Sequence, residues 1–180
     1  MRDYLDTLAE DAKKTISSGY YEVSAKHTGQ PVRLRKAIIE SRQNAIITEV
    51  KVASPSRGTI KTSIDPSDVA KAMENGGATG ISVLTEPKHF SGSLGYLEKV
   101  REAVKLPILM KDIIIDPIQI EAASRIGANV ILLIGALFDR GYCELSLEEM
   151  IEQAHMKYLE VLLETHSEEE FKQAIETDAD

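Results

Sequence analysis

The 180-residue chain has a single cysteine, Cys143, and fewer basic than acidic side chains. One cysteine excludes an internal disulfide and is typical of a protein from a reducing compartment. Lys and Arg number 21 against 29 Asp and Glu, a net charge of −8, which argues against nucleic acid or an anionic membrane as the main partner. No apolar run reaches the length of a membrane span and no secretory signal is recognisable, so we expect a cytoplasmic protein.

Short apolar runs alternate along the chain with segments that read as helices. The five runs are 45–50, 80–85, 107–110, 129–134 and 159–163. Because they are nearly continuous and lack in–out alternation, they indicate strands that are buried on both faces. With 43% apolar residues the chain can bury a core in one domain. The pattern predicts an α/β fold with a parallel sheet of right-handed βα units.

Capping residues mark where the helices begin and end. Upstream of the first run, apolar residues at helical spacing predict helices near Tyr4–Ile16 and Val32–Ser41. Four later segments carry N-terminal signals: Asp65-Pro66, Asp116-Pro117, Ser146 to Glu149 and Ser167 to Glu170. Glycines at 76, 77 and 127 predict helix C-termini.

The number of units leaves two architectures open. We expect one domain over 1–180, with an N-terminal helical extension over 1–43 and five βα units over 44–180. A closed (β/α)8 TIM barrel needs eight such units. The chain is therefore either a small open α/β domain or the front part of a barrel. The small-residue turns that precede successive strands, with a similar turn at 174–180, favour the barrel.

Charged residues gather at the carboxyl ends of the predicted strands. Glu49 and Lys51 lie two apart and therefore share one face of the first strand. Lys111 directly follows the third run and Glu164 the fifth. One such residue alone is usually just exposed to solvent. Four at the same end of successive strands indicate an active site at the carboxyl edge of the sheet, without naming a reaction.

Five motifs, in order, resemble the indole-3-glycerol-phosphate synthase family of tryptophan biosynthesis, whose fold is a (β/α)8 barrel. They are Glu49-Val-Lys-Val-Ala-Ser-Pro-Ser-Arg-Gly, Ser82-Val-Leu-Thr-Glu-Pro-Lys-His-Phe-Ser-Gly, Pro107-Ile-Leu-Met-Lys-Asp, Val130-Ile-Leu-Leu-Ile and Leu162-Leu-Glu-Thr-His. The Glu-x-Lys-x-x-Ser-Pro-Ser match is specific, and the set spans essentially the whole chain. The N-terminal helices also fit, because the family carries an extra helical segment before its first strand.

The resemblance implies a lyase of aromatic amino acid biosynthesis. Its substrate is the phosphosugar anthranilate 1-(2-carboxyphenylamino)-1-deoxyribulose 5-phosphate, which is closed and decarboxylated to indole-3-glycerol phosphate, carbon dioxide and water without a metal or organic cofactor. In the family's pattern Lys111 is the general acid on the substrate carbonyl, and Glu164 acts in proton removal during dehydration. Lys51 contacts anionic groups of the substrate; how it divides the acid role with Lys111 stays open.

The resemblance also assigns the residues that hold the substrate. Glu49 orients the catalytic groups electrostatically, and Ser54 lies in the substrate loop. Phe90 and Leu133 match apolar positions that pack on the anthranilate ring, and Ile113 is assigned to substrate binding with them. No metal site is expected, because the four histidines fall in separate segments without ligand spacing.

The chain departs from the family's pattern where it stops. It lacks the sixth-strand segment with its Asn, the seventh with its Glu-Ser pair, and the loops after strands seven and eight that usually grip a phosphate. We therefore expect the 180-residue chain to be nearly inactive alone and to self-associate through open sheet edges. Two alternatives remain: another phosphosugar-processing barrel enzyme, commonly with a Cys–Asp pair, and a non-catalytic half-barrel module that self-associates.

Overall fold

The computed structural model describes residues 2–29, 32–51, 53–54, 58–59 and 65–180, the two short ranges by their backbone alone. The helices of this part are α1 Tyr4–Ser17, α2 Leu34–Glu40, α3 Pro66–Asn75, α4 Leu94–Ala103, α5 Pro117–Ile126, α6 Gly135–Asp139, α7 Leu147–Met156 and α8 Glu168–Ala174. The strands are β1 Ile47–Val50, β2 Ala53–Ser54, β3 Gly58–Thr59, β4 Gly80–Leu84, β5 Ile108–Lys111, β6 Val130–Ile134 and β7 Glu160–Glu164. Within these ranges, no helix combines the length and apolar content needed to cross a membrane.

Five of the strands form one parallel sheet whose spatial order follows the chain: β1, β4, β5, β6 and β7. Each βα unit therefore adds its strand beside the preceding one. A doubly wound open sheet would instead reverse its strand order at a switch point. The expectation of an α/β fold of the (β/α)8-barrel class, with five units present, is confirmed. The short strands β2 and β3 pair antiparallel in the connection after β1.

The two faces of the sheet bury separate apolar clusters. Ile131 and Leu133 of β6 belong to an outer cluster that packs against α3, α4, α5 and α7. Val130, Leu132 and Ile134 belong to an inner cluster on the concave face, which includes Leu8, Ala9 and Ala12 of α1. The central strands β4 and β6 are buried throughout, whereas the edge strands β1 and β7 are partly exposed. Burial on both faces explains why the sequence of the central strands lacks alternation.

The predicted helix starts are confirmed. The N-caps are Asp65, Asp116, Ser146 and Ser167, each of which accepts a backbone N–H bond in its first turn. One detail was wrong: Ser167 and Glu170 do not form a reciprocal capping box, because the Glu170 carboxylate accepts from the His166 N–H instead. Gly76 and Gly127 end their helices, and Gly127 does so with a φ of 89°, where glycine has no steric penalty.

The N-terminal helices cover both ends of the strand layer. Helix α1 packs on the concave face near the carboxyl ends of the strands, and Leu34 at the start of α2 lies at their amino ends. There the Leu34 N–H donates to the carboxylate of Glu160, the first residue of β7, at 2.5 Å. Leu34 also lies against Gly80, the first residue of β4, where a Cβ would approach its Cδ1 to 2.7 Å.

Glu160 provides the N-terminal cap that α2 lacks in its own sequence. The N-cap residue Arg33 makes no side-chain bond, whereas the buried Glu160 carboxylate accepts from Leu34 and Arg35. Replacing Glu160 by Ala leaves a buried N–H without a partner and should lower the free energy of unfolding by about 2–3 kcal/mol. Urea denaturation measures the loss. The exposed control Glu152→Ala should stay within about 0.5 kcal/mol of the parent; equal stabilities for the two variants would contradict the capping role.

Candidate active site

The charged residues singled out from the sequence lie at one rim of the sheet. Lys111 and Glu164 are the last residues of β5 and β7, and Lys51 directly follows β1. Since the five strands are parallel and in register, their carboxyl ends meet at the same edge. Strand pairing alone therefore brings these charged residues to the same rim.

Glu49 connects the two lysines. Its Oε2 lies 3.1 Å from Lys111 Nζ, and its Oε1 lies 3.7 Å from Lys51 Nζ. Strand β4 separates the strands of Glu49 and Lys111, so this ion pair spans the concave face. Lys51 Nζ also lies 5.6 Å from the centroid of the Phe90 ring, a cation–π contact. One carboxylate therefore fixes the direction of both ammonium groups.

A cavity of about 510 Å³ opens between these residues, within the range of small-molecule sites. Lys51, Lys111 and Glu164 supply charged groups to its wall, and Phe90 and Ile113 supply apolar ones. Five of the eight residues predicted for the site thus line one cavity. Glu49 is not in the wall but holds the two lysines that are.

Leu133 does not join them, and its predicted contact with the substrate is corrected. It is fully buried in the outer cluster, facing the helices, whereas its neighbours Leu132 and Ile134 line the cavity. Successive side chains of a strand point to opposite faces, so an error of one residue changes the face. The all-apolar run from Val130 to Ile134 offers no alternation from which the face could be read.

Ser54 lies where only the backbone is described. Its backbone pairs with Gly58 in the β2–β3 ribbon, and its side chain is outside the described part of the chain. Residues 52, 55–57 and 60–64 of the same connection lie wholly outside the described residues. The predicted substrate contact of Ser54 therefore stays a prediction.

The turn after β4 presents Phe90 to the cavity. The carboxylate of Glu86, 4% exposed, accepts backbone N–H bonds from Lys88, His89 and Phe90 at 3.0, 2.6 and 3.0 Å. Gly92 closes the turn so tightly that a Cβ would lie 2.5 Å from the Leu84 carbonyl oxygen. Glycine is required there by close backbone approach. Glu86 is thus a structural acceptor that folds the Phe90 turn.

Helix α1 forms a wall that local sequence patterns do not predict. Tyr4, Leu5 and Leu8 line the cavity. At one end, Asp3 and Asp6 bind Arg140 Nη1 at 2.7 and 3.0 Å. The contacts join residues more than 130 positions apart, so no short-range signal reveals them.

The middle of α1 is fixed by Asp11. Its carboxylate binds Lys14, Lys88 and His89, the last at 2.9 Å, and these bonds hold the pKa of Asp11 well below its usual range. Lys88 and His89 belong to the Phe90 turn. Helix α1 and the Phe90 turn, which both line the cavity, are therefore bound to each other.

His166 adds a residue that the sequence analysis did not assign. Its Nε2 lies 3.2 Å from Glu164 Oε1, and both residues line the cavity. The signal for this pair was its i, i+2 spacing at a strand end, the same signal that identified Glu49 and Lys51. Among the residues that the structure describes, no group of three His, Cys, Asp or Glu is arranged to hold a metal ion.

Asp112 is the buried acid of the site. Its carboxylate, 2% exposed, accepts from Thr85 Oγ1 at 2.6 Å and from the Ile113 N–H at 2.8 Å. Burial raises the pKa of Asp112 to about 6, although these bonds and one from Tyr21 oppose the rise. The site thus combines paired ammonium groups, carboxylates and apolar walls, a set suited to proton transfer.

The sequence of this chain matches one protein family and relatives that belong to it. The family model "Indole-3-glycerol phosphate synthase" matches residues 5–180. An indole-3-glycerol phosphate synthase from Mycolicibacterium gilvum is 38% identical over 97% of this chain and 65% of its own length. Another, from Geobacillus sp. (strain WCH70), is 48% identical over 72% of this chain and 48% of its own length. The chain thus spans about half to two thirds of the relatives it matches.

A solved structure supports the fold alone. The N-acetylmannosamine-6-phosphate 2-epimerase from Clostridium perfringens superposes with a TM-score of 0.59 at 14% identity, over 88% of this chain and 66% of that one. Sequence identity this low carries no inference about activity. The family match over nearly the whole chain, by contrast, is decisive: the chain belongs to the indole-3-glycerol phosphate synthase family.

Proposed function

We propose that this chain carries the acid–base half of an indole-3-glycerol phosphate synthase, a lyase that closes and decarboxylates 1-(2-carboxyphenylamino)-1-deoxyribulose 5-phosphate. The observation that carries the proposal is the convergence of Lys111, Lys51 and Glu164 on one cavity, with both lysines held by Glu49. The family membership supports the choice of reaction.

Ring closure requires a proton donor at the ketone. The ring carbon that bears the carboxylate attacks the ketone carbon, and the ketone oxygen takes a proton from the Lys111 ammonium to become a hydroxyl. The carboxylate then leaves as carbon dioxide, and the electron pair of the broken C–C bond restores the aromatic ring. A positioned acid of this kind typically contributes about 10²–10⁴-fold to the rate.

Dehydration needs an acid and a base together. The new hydroxyl leaves as water with a proton from a lysine, and Glu164 removes the proton whose loss completes the indole. We assign the acid role in this step to Lys51, which lines the cavity and lies over the Phe90 ring. His166, 3.2 Å from Glu164, holds this carboxylate in the cavity.

The apolar wall favours a folded substrate. Phe90, Ile113 and Leu132 form a surface on which an anthranilate ring can pack, while the lysines neutralise its carboxylate. Holding two reacting ends of a flexible molecule in contact removes much of the entropic cost of ring closure. Cys143 lies in the loop after α6, outside this wall, so the site offers no support for an isomerase with a Cys–Asp pair.

We further propose that three more βα units complete the site. In the described part of the chain the parallel sheet has five strands with β1 and β7 at its edges, where Ile47 and Leu162 are 38% and 42% exposed. An eight-stranded barrel would bury them. A second copy of the chain is the alternative occupant, since unpaired strand edges promote self-association.

The chain alone should turn over substrate poorly. We compare it with a chimera in which residues 1–180 are followed by the remaining C-terminal third of the Mycolicibacterium gilvum relative. Because the loops that commonly hold the phosphate are absent, the chain alone should show kcat/KM at least roughly 10³-fold below the chimera. Fluorescence of the indole product measures the rate, and comparable turnover by the isolated chain would refute this prediction.

Lys111→Ala tests the proton donor in the same chimera. We expect kcat to fall by about 10²–10⁴-fold with a smaller change in KM, because the acid acts on the transition state. The exposed control Lys71→Ala should remain within about twofold of the parent. An active Lys111→Ala variant would eliminate the proposed role.

Leu132 and Leu133 provide a matched pair that tests the face of β6. Leu132→Ala removes part of the apolar wall, which enlarges the cavity, and should raise KM by about 10-fold. Leu133→Ala leaves a void against the outer helices and should cost about 2–5 kcal/mol of unfolding free energy with little change in KM. Steady-state kinetics and urea denaturation separate the two effects. The reverse assignment of effects would show that Leu133, as first predicted, faces the substrate.

A further inference from the structure

Asp112 is a buried ionisable group that the proposed reaction does not use. It follows Lys111 directly, lies at the edge of the same cavity, and precedes Ile113 in the apolar wall. A carboxyl group that is 2% exposed costs free energy to ionise, so its retention beside the proposed acid calls for a physical reason.

The hydrogen bonds of Asp112 join two segments. Thr85 Oγ1 comes from the end of β4 and the Ile113 N–H from the end of β5. The Thr85 N–H also donates to the Lys111 carbonyl oxygen at 3.1 Å. Thr85 therefore binds both the backbone of Lys111 and the side chain of Asp112.

These bonds determine where the neighbouring side chains point. The Ile113 N–H bond lies where β5 ends, and Lys111 and Ile113, the neighbours of Asp112 in the chain, both line the cavity. Lys111 then reaches Glu49 on the opposite side of β4. Loss of the carboxylate acceptor would release the turn, and with it the direction of the Lys111 ammonium.

We propose that the ionised Asp112 carboxylate is a positioning residue, which holds Lys111 and Ile113 in the cavity by binding the Thr85 hydroxyl and the Ile113 N–H. It acts through its neighbours and does not touch the reacting atoms. The predicted effect of Asp112 on the reaction rate rests on the proposed function. Its effect on the positions of Lys111 and Ile113 does not depend on which reaction is catalysed.

Burial, and to a smaller extent the ionisable groups around it, sets the pH at which Asp112 changes charge. Glu86 faces it from the turn after β4 and disfavours its ionisation, while Tyr20 and Tyr21 face it from the segment after α1. Burial raises the pKa of Tyr20 to about 12 and that of Tyr21 further, so both hydroxyls stay protonated donors. Asp112, with a pKa of about 6, therefore changes charge near neutral pH.

The effect on stability has a definite sign. The pKa of Asp112 is raised by folding from 3.8 to about 6, so folding favours the protonated form. The ionised form costs stability, and this cost grows from about pH 4 to pH 6 and persists above. Relative to the parent, Asp112→Asn should therefore be more stable at pH 8 than at pH 5, although it is the less active protein.

NMR of the 180-residue chain tests the geometric part. The Asp112 carboxyl carbon should titrate near pH 6, and the Ile113 amide and Lys111 side-chain signals should follow with the same midpoint. In Asp112→Asn the Ile113 amide and Lys111 side-chain signals should not change with pH around 6. Signals of Ile113 and Lys111 that ignore the Asp112 titration would overturn the proposal.

Kinetics of the chimera tests the consequence for rate. Asp112→Asn should lower kcat by about 10²-fold with KM within about threefold, because a small misplacement of a catalytic group is costly. Thr85→Val should show part of this loss and Thr85→Ser should restore it. A variant Asp112→Asn with parental kcat would contradict the positioning role. If the parent chimera is inactive while the NMR signals remain coupled, the proposed function fails and the positioning role stands.

Discussion

The pairing of parallel strands in chain order is the constraint on which the site depends. It carries the ends of β1, β5 and β7 to one rim, where Glu49 can reach Lys111 at 3.1 Å on the opposite side of β4. No loop is needed to bring Glu49 and Lys111 together, because the pairing of their strands with β4 places the two side chains within reach of each other. A change of register by one residue would turn Lys111 towards the helices and leave Glu49 without its partner.

The ion pairs at this rim orient the two lysine side chains but add little to the stability of the fold. Lys111, Lys51 and Glu49 side chains are 30–39% exposed, and partly exposed pairs contribute little net free energy. The rigidity comes from buried contacts around them. Glu86 folds the Phe90 turn, Asp112 holds the end of β5, and α1 packs its apolar face on the concave side of the sheet.

Features determined by nearby residues could be predicted from the sequence, and features determined by distant ones could not. The N-caps at Asp65 and Asp116 and the strand ends at Lys111 and Glu164 are local, and the structure has them as predicted. The Arg140 contact of α1 and the Glu160 cap of α2 join residues more than 120 positions apart. The prediction for Leu133 was wrong for a different reason: in a strand that is buried on both faces, the sequence carries no pattern that distinguishes one face from the other.

In the proposed function the Lys111 ammonium, directed by Glu49, faces the ketone oxygen of the substrate. A crystal structure of the chimera with an analogue whose ketone is reduced to an alcohol tests this contact. We expect Lys111 Nζ within about 3.2 Å of that hydroxyl oxygen, with the aromatic ring on Phe90 and Leu132. An analogue bound in the cavity with Lys111 turned away from the hydroxyl would contradict it.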